Sequence, residues 1–277
     1  MLKILLGLAV ILGASRLLLY AMGVMQRRLD PPPEVIRKLM HAGMGTVLLL
    51  CPCFFDRAWP VVLLAAVFVG LLIAREYLPF LHRHVSHVIY GVERHSLGEF
   101  YFPMTTAVLF LLARGRCLEF YVPMMLLTYA DAAAAIVGKR YGRCVFETPG
   151  GRKSAEGCAA FFVTAFALTA IPLLLQGGAG VTATLLIALN IALVTTFLEA
   201  GSWHGWDNVT VPLAAWAMLR WLPTFTGVQF AATVGVGGIV MLIHSLRTTV
   251  FPIKPARGAT GVVALATTGV ELRGRFG

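Results

Sequence analysis

The chain has 277 residues, 58% of them hydrophobic and only 13% charged, with a mean hydropathy of +0.80. So few charges exclude an ordinary soluble domain, and the repeated apolar runs approach the ~20 residues an α-helix needs to cross a bilayer. The formal net charge is +10, but the basic residues fall mostly between apolar runs, so they point to membrane orientation and anionic ligands, and no nucleic-acid partner is expected.

Lipid offers the backbone no hydrogen bonds, so spanning segments must be helices or a closed barrel, and the alternating segments of a barrel are missing. The expected fold class is therefore all-α, a polytopic membrane bundle of about nine transmembrane helices. The first apolar run, 2–22, is too long for a signal peptide and "RLLLYAMG" offers no small-residue cleavage site, so it is read as a span. The others are predicted at 39–55, 58–75, 100–113, 118–138, 158–175, 181–200, 209–222 and 226–246. Breakers separate them: Pro31-Pro32-Pro33, Pro60, Pro149-Gly150-Gly151, Gly177-Gly178 and Pro223. One domain is expected over 1–250, followed by a basic tail at 251–277. The cysteines, Cys51, Cys53, Cys117, Cys144 and Cys158, are scattered and suggest no disulfide framework.

Nine spans with the N-terminus outside put most Lys and Arg on one side, which the positive-inside rule makes cytoplasmic. Every unusual polar cluster falls on that same side. The first is Arg37-Lys38 with His41, four residues beyond Arg37 and on the same helical face. Interface anchoring alone would account for it. Glu99 opens the fourth span, where it suits the helix dipole. His82, His84, His87 and His95 fill the preceding loop; without a Cys or acid at suitable spacing they read as a polar interfacial loop rather than a zinc site.

Asp131 lies within "LTYADAAAAIVGKRYG", about 12 Å from Lys139 along a helix. A carboxylate at that depth faces a polar cavity or a partner. Ala135, Gly138 and Gly142 continue along one face bare of bulk, which either lets another helix approach or leaves room for a ligand. The connection 139–157 carries Lys139, Arg140, Arg143, Arg152 and Lys153, donors suited to a polyphosphate, though lipid headgroups would also explain the charge. Lys153-Ser154 is no P-loop, because Arg152 stands where that motif needs Gly. Ser154 is a candidate cap for the next helix, and Glu156-Gly157 follow directly. Finally Glu199, Asp207 and Asn208 bracket a Gly-containing turn; their hard oxygens suit Mg²⁺ together with substrate phosphates, and Asp207-Asn208 equally suits a helix start.

Taken in order, Arg-Lys-x-x-His, Gly-Glu-x-Tyr-Phe-Pro, Asp-x-x-Ala-x-x-x-Gly-x-x-x-Gly, Lys-Ser-x-Glu-Gly and Glu…Asp-Asn-x-x-x-Pro resemble the polyprenol kinase family of phytol, farnesol and dolichol kinases, which is related to the membrane CTP-dependent cytidylyltransferases. The resemblance runs from Arg37 to Pro212. It implies a phosphotransferase with an alcohol acceptor, moving a phosphoryl group from CTP to a membrane-soluble prenyl alcohol with Mg²⁺; the charge count puts the site on the cytoplasmic face, and the lack of a transit-peptide composition suggests a bacterial plasma membrane. The resemblance puts Asp131, Asp207 and Asn208 at the acidic positions expected near metal and nucleotide, and matches Arg37, Lys38, His41, Lys153 and Glu156 to its motifs. With the loop charges, the nucleotide-binding candidates are Arg37, Lys38, Lys139, Arg152, Lys153, Ser154 and Asn208, and the metal candidates Asp131, Asp207 and Asn208. The catalytic candidates are Asp131, Glu156, Asp207, His41 and Glu199. The second reading is a phosphatidate cytidylyltransferase, whose Lys-Asp and His-Gly-Gly run is missing; the third is a cation- or proton-coupled transporter, for which no internal repeat is evident.

Overall fold

Helix α1 runs from Leu2 to Leu29, seven residues past the predicted end, and stops at Asp30 in a left-handed conformation (φ 40°, ψ 51°) before the three prolines. This computed structural model describes residues 1–77, 97–148, 151–178, 180–202 and 205–221, without the side chains of 33–34 and 75–77. The histidines at 82–95, the predicted span 226–246 and the tail 251–277 lie outside the described residues. All described residues fall in one unit, Met1–Met241; the second, Leu242–Gly277, lies wholly outside them.

Helix α2 (Pro33–Leu48) begins with a proline in its first turn, where the missing N–H costs nothing. A short turn, α3 (Cys51–Phe54), leads to α4 (Trp59–Tyr77). Helix α5 spans Gly98–Ala113. Next comes one continuous rod: α6 (Cys117–Met125), a π-helical turn at Leu126–Ala130, and α7 (Asp131–Tyr141). Strands β1 (Val145–Thr148) and β2 (Gly151–Ser154) pair antiparallel, with Phe146 opposite Lys153 and Glu147 opposite Arg152. Helices α8 (Ala155–Gln176), α9 (Val181–Gly201) and α10 (Asp207–Trp221) follow.

The rod 117–141 is the spine of the bundle. Its Val122, Leu126 and Ala130 join one apolar cluster with Phe161 of α8, Ile191 of α9 and Val211 of α10. Its Phe120, Met124 and Leu127 join another with Ile11, Leu48, Leu64 and Leu109 from α1, α2, α4 and α5. The rod is accordingly the most buried of the long apolar helices, and α1 the least. Outward faces of α1, α4, α8 and α9 expose Leu, Val and Ile in numbers that only a lipid surroundings tolerates.

The expected nine spans are not met among the described residues. With the rod 117–141 taken as one, these hold eight helices apart from the α3 turn, and four of them are long and apolar enough to cross a membrane: Leu2–Leu29, Cys117–Tyr141, Ala155–Gln176 and Val181–Gly201. Apolar segments Trp59–Ala74 and Gly98–Ala113 are shorter. Helices α2 and α10 carry the polar motifs themselves, which lowers their hydropathy. The chain is a mostly helical membrane protein, but not purely helical: the β1–β2 hairpin replaces what reads in sequence as a basic loop.

Candidate active site

The π turn sets the position of Asp131. One extra residue in the turn shifts the helix register, so the Asp131 N–H donates to Leu126 O rather than to Leu127 O. The Leu127 carbonyl then takes a hydrogen bond from His41 Nε2 at 3.0 Å. Because a carbonyl carries no proton, Nε2 is the protonated ring nitrogen of His41 in this contact. The imidazole also lies against Phe102 of α5, with ring centroids 4.5 Å apart, which gives the aromatic residue of Gly-Glu-x-Tyr-Phe-Pro a packing task.

Asp131 is buried, and its partner is Lys38, three residues before His41 on α2. The Lys38 ammonium lies 2.7 Å from Oδ1 and 2.6 Å from Oδ2. His41 Nε2 is 3.9 Å from Oδ2, and the Arg37 charge also acts on this carboxylate. A helix carrying Arg37, Lys38 and His41 within about one turn thus turns two cations and an imidazole toward one buried acid.

A second pair stands beside it. Glu199, in the last turn of α9, accepts a hydrogen bond from Lys153 at 2.8 Å through Oε1. The same ammonium donates to the Glu199 carbonyl and, at 3.4 Å, to Ser202 Oγ. A cation at the C-terminal end of α9 satisfies carbonyls that the helix leaves unpaired. Lys153 reaches that point because the hairpin is braced at its base. The Ser154 hydroxyl accepts from Gly157 N at 3.1 Å, capping α8, and Glu156 Oε1 accepts from Cys144 N at 3.1 Å. Glu156 therefore clasps the hairpin to the helix. Alternation along β2 turns Arg152, which is exposed, to the face opposite Lys153.

The small-residue face of α7 serves close approach. A Cβ on Gly157 would sit 2.9 Å from the Ala134 carbonyl and 3.2 Å from the Gly138 Cα. Helices α7 and α8 thus cross with backbone nearly on backbone, and Gly138, Ser154 and Gly157 interlock there. Asp207 and Asn208 open α10, where Asn208 N donates to Asp207 Oδ1 at 3.0 Å and Asn208 Nδ2 donates to Gly98 O at 2.9 Å, tying α10 to α5. The Asp207 charge acts on both His41 and Glu199, and that of Asp131 on Glu199, so these groups share one electrostatic neighbourhood.

Of the residues singled out by sequence, Lys38 and His41 meet Asp131, Lys153 meets Glu199, and the charges of Arg37 and Asp207 act on these groups, whereas the Asn208 side chain ties α10 to α5. Ser154 and Glu156 shape the hairpin beneath Lys153. Lys139 and Arg152 are exposed. Sequence reasoning missed the Leu127 and Gly98 carbonyls, Phe102 and Ser202; Gly98 and Phe102 left a trace, both in the motif Gly-Glu-x-Tyr-Phe-Pro. Among the described residues no group of three or more His, Cys, Asp or Glu is placed to hold a metal ion unaided. The donors present are hard oxygens from Asp131, Asp207, Glu199 and Asn208. They fit a cation that takes one or two carboxylates and fills its other positions with water and substrate phosphate.

No family model matches the chain, and no solved structure matches it. The chain is similar to a phytol kinase of Synechocystis, 29% identical over 196 residues that cover 70% of this chain and 81% of that protein, and this likeness supports the polyprenol kinase resemblance carried by its five motifs.

Proposed function

We propose that this protein is a membrane kinase of prenyl alcohols, transferring the γ-phosphoryl group of CTP to a lipid-soluble alcohol of the phytol class. The observation that carries the reading is the meeting of Lys38–Asp131 with Lys153–Glu199, beside Asp207, on helices otherwise built for lipid. Buried ion pairs give little net stability, so their presence in an apolar bundle points to chemistry. The similarity to a phytol kinase supplies the acceptor class.

In this reading Arg37, Lys38 and Lys153 bind the triphosphate, and exposed Lys139 and Arg152 attract it from the cytoplasmic side. Asp131, Asp207 and Asn208 would hold Mg²⁺, which would supply positive charge against that of the phosphates. The alcohol enters laterally from the lipid, its oxygen attacks the γ-phosphorus, and CDP departs. The hydroxyl proton passes to water, or to His41 or Glu199 in the same field. A loose phosphoryl-transfer transition state asks little base strength, so positioning of charge carries most of the rate. The host membrane is a bacterial plasma membrane, with the site on its inner face.

The test is a product analysis. Purified protein in lipid nanodiscs, given labelled CTP, Mg²⁺ and phytol, farnesol or longer polyprenols, should yield CDP and a prenyl monophosphate. Pyrophosphate with a CDP-lipid would instead establish the cytidylyltransferase reading. Asp131→Asn should lower the rate by about three orders of magnitude or more while the protein stays folded in the membrane; full activity in that variant would refute the role given to Asp131.

A further inference from the structure

We propose that the site admits its divalent cation only together with a nucleoside triphosphate, because Lys38 closes the Asp131 carboxylate until phosphate draws the ammonium away. This rests on the kinase reading above and adds an order of binding to it.

Lys38 does not merely lie near Asp131. Its ammonium is within 2.7 Å of both carboxylate oxygens, and both side chains are largely shielded from solvent. A free divalent ion seeking those oxygens would have to settle against a fixed positive charge, with little water to screen it. Lys153 does the same at Glu199, donating to a carboxylate oxygen, the backbone carbonyl and Ser202. Asp131 and Glu199 thus each have their own lysine, and these two pairs offer a bare cation almost no net attraction. A triphosphate changes the balance. It brings several negative charges at once, competes for both ammonium groups, and carries a cation already bound to its own oxygens. When Lys38 moves to phosphate, the Asp131 carboxylate is released as the cation arrives.

Water-proton relaxation by Mn²⁺ reads this directly in the full chain in nanodiscs. Wild-type protein with Mn²⁺ alone should show no enhancement removed by Asp131→Asn, and adding CTP should produce one. Lys38→Gln should bind Mn²⁺ without nucleotide at least tenfold more tightly than wild type, and Lys38→Gln/Asp131→Asn should lose that binding. Should Lys38→Gln fold poorly, thermal unfolding still decides the matter: Mn²⁺ without nucleotide should leave the wild-type midpoint unchanged and raise that of the variant. Asp131-dependent Mn²⁺ binding to wild type without nucleotide would overturn the proposal. So would the absence of enhancement with CTP in a preparation that makes CDP. A preparation that makes no CDP from any prenyl alcohol refutes the kinase reading itself and takes the binding order with it.

Discussion

Lys153 meets three oxygens at the end of α9. Its loss should act on the nucleotide rather than on the lipid acceptor. Lys153→Ala is expected to raise the KM for CTP or lower kcat roughly ten- to a thousandfold, the range for removing one phosphate-stabilising donor. Preference among alcohol chain lengths should not change; steady-state kinetics with phytol and farnesol would show it, and an altered chain preference alone would place Lys153 elsewhere. The residue types were legible in the sequence because intramembrane acids are costly and stand out. Their partners were not. Lys38 and Asp131 are 93 residues apart, Lys153 and Glu199 are 46 apart, and nothing local in a chain records a tertiary pairing.

At the scale of elements, the close α7–α8 crossing constrains the site. Gly157→Ala would press a methyl against a carbonyl and a Cα, atoms that cannot rotate away, and should cost about 1–3 kcal/mol while shifting the hairpin that carries Lys153. Gly43→Ala should cost less, since the atoms nearest its Cβ belong to the end of the Leu18 side chain, which can rotate. Thermal unfolding of both variants in the same lipid, with kinase activity alongside, measures the difference. Two of the breakers fall where helices end: the triple proline follows α1, and Gly177, at φ 73°, ends α8, whereas Pro60 sits inside the first turn of α4. The hairpin was missed because strands of four residues are too short for an alternation pattern to stand out against a run of charges. The π turn was missed because one added residue in a helix leaves no mark in composition.

Over the whole molecule, the rod 117–141 fixes what is opposite to what. Its 25 residues span about 38 Å, so Cys117 at one end and Cys144 just past the other flank a full bilayer. Both thiols are exposed. An impermeant maleimide applied to intact cells should label Cys117 and spare Cys144, and inverted vesicles should reverse the result; the opposite outcome would place the site outside. Membrane character and helical architecture were plain from hydropathy. The number of spans was not, because α2 and α10 are helices whose apolar character is diluted by the charges that equip the site. The order of the two ion pairs along the chain has its own consequence for biosynthesis. In each, the lysine precedes its carboxylate, Lys38 before Asp131 and Lys153 before Glu199. A long ammonium side chain can wait at the headgroups while translation continues, whereas a short acid at depth cannot. Each acid therefore leaves the ribosome after its counter-ion, and at no stage of insertion must it enter lipid before its partner exists.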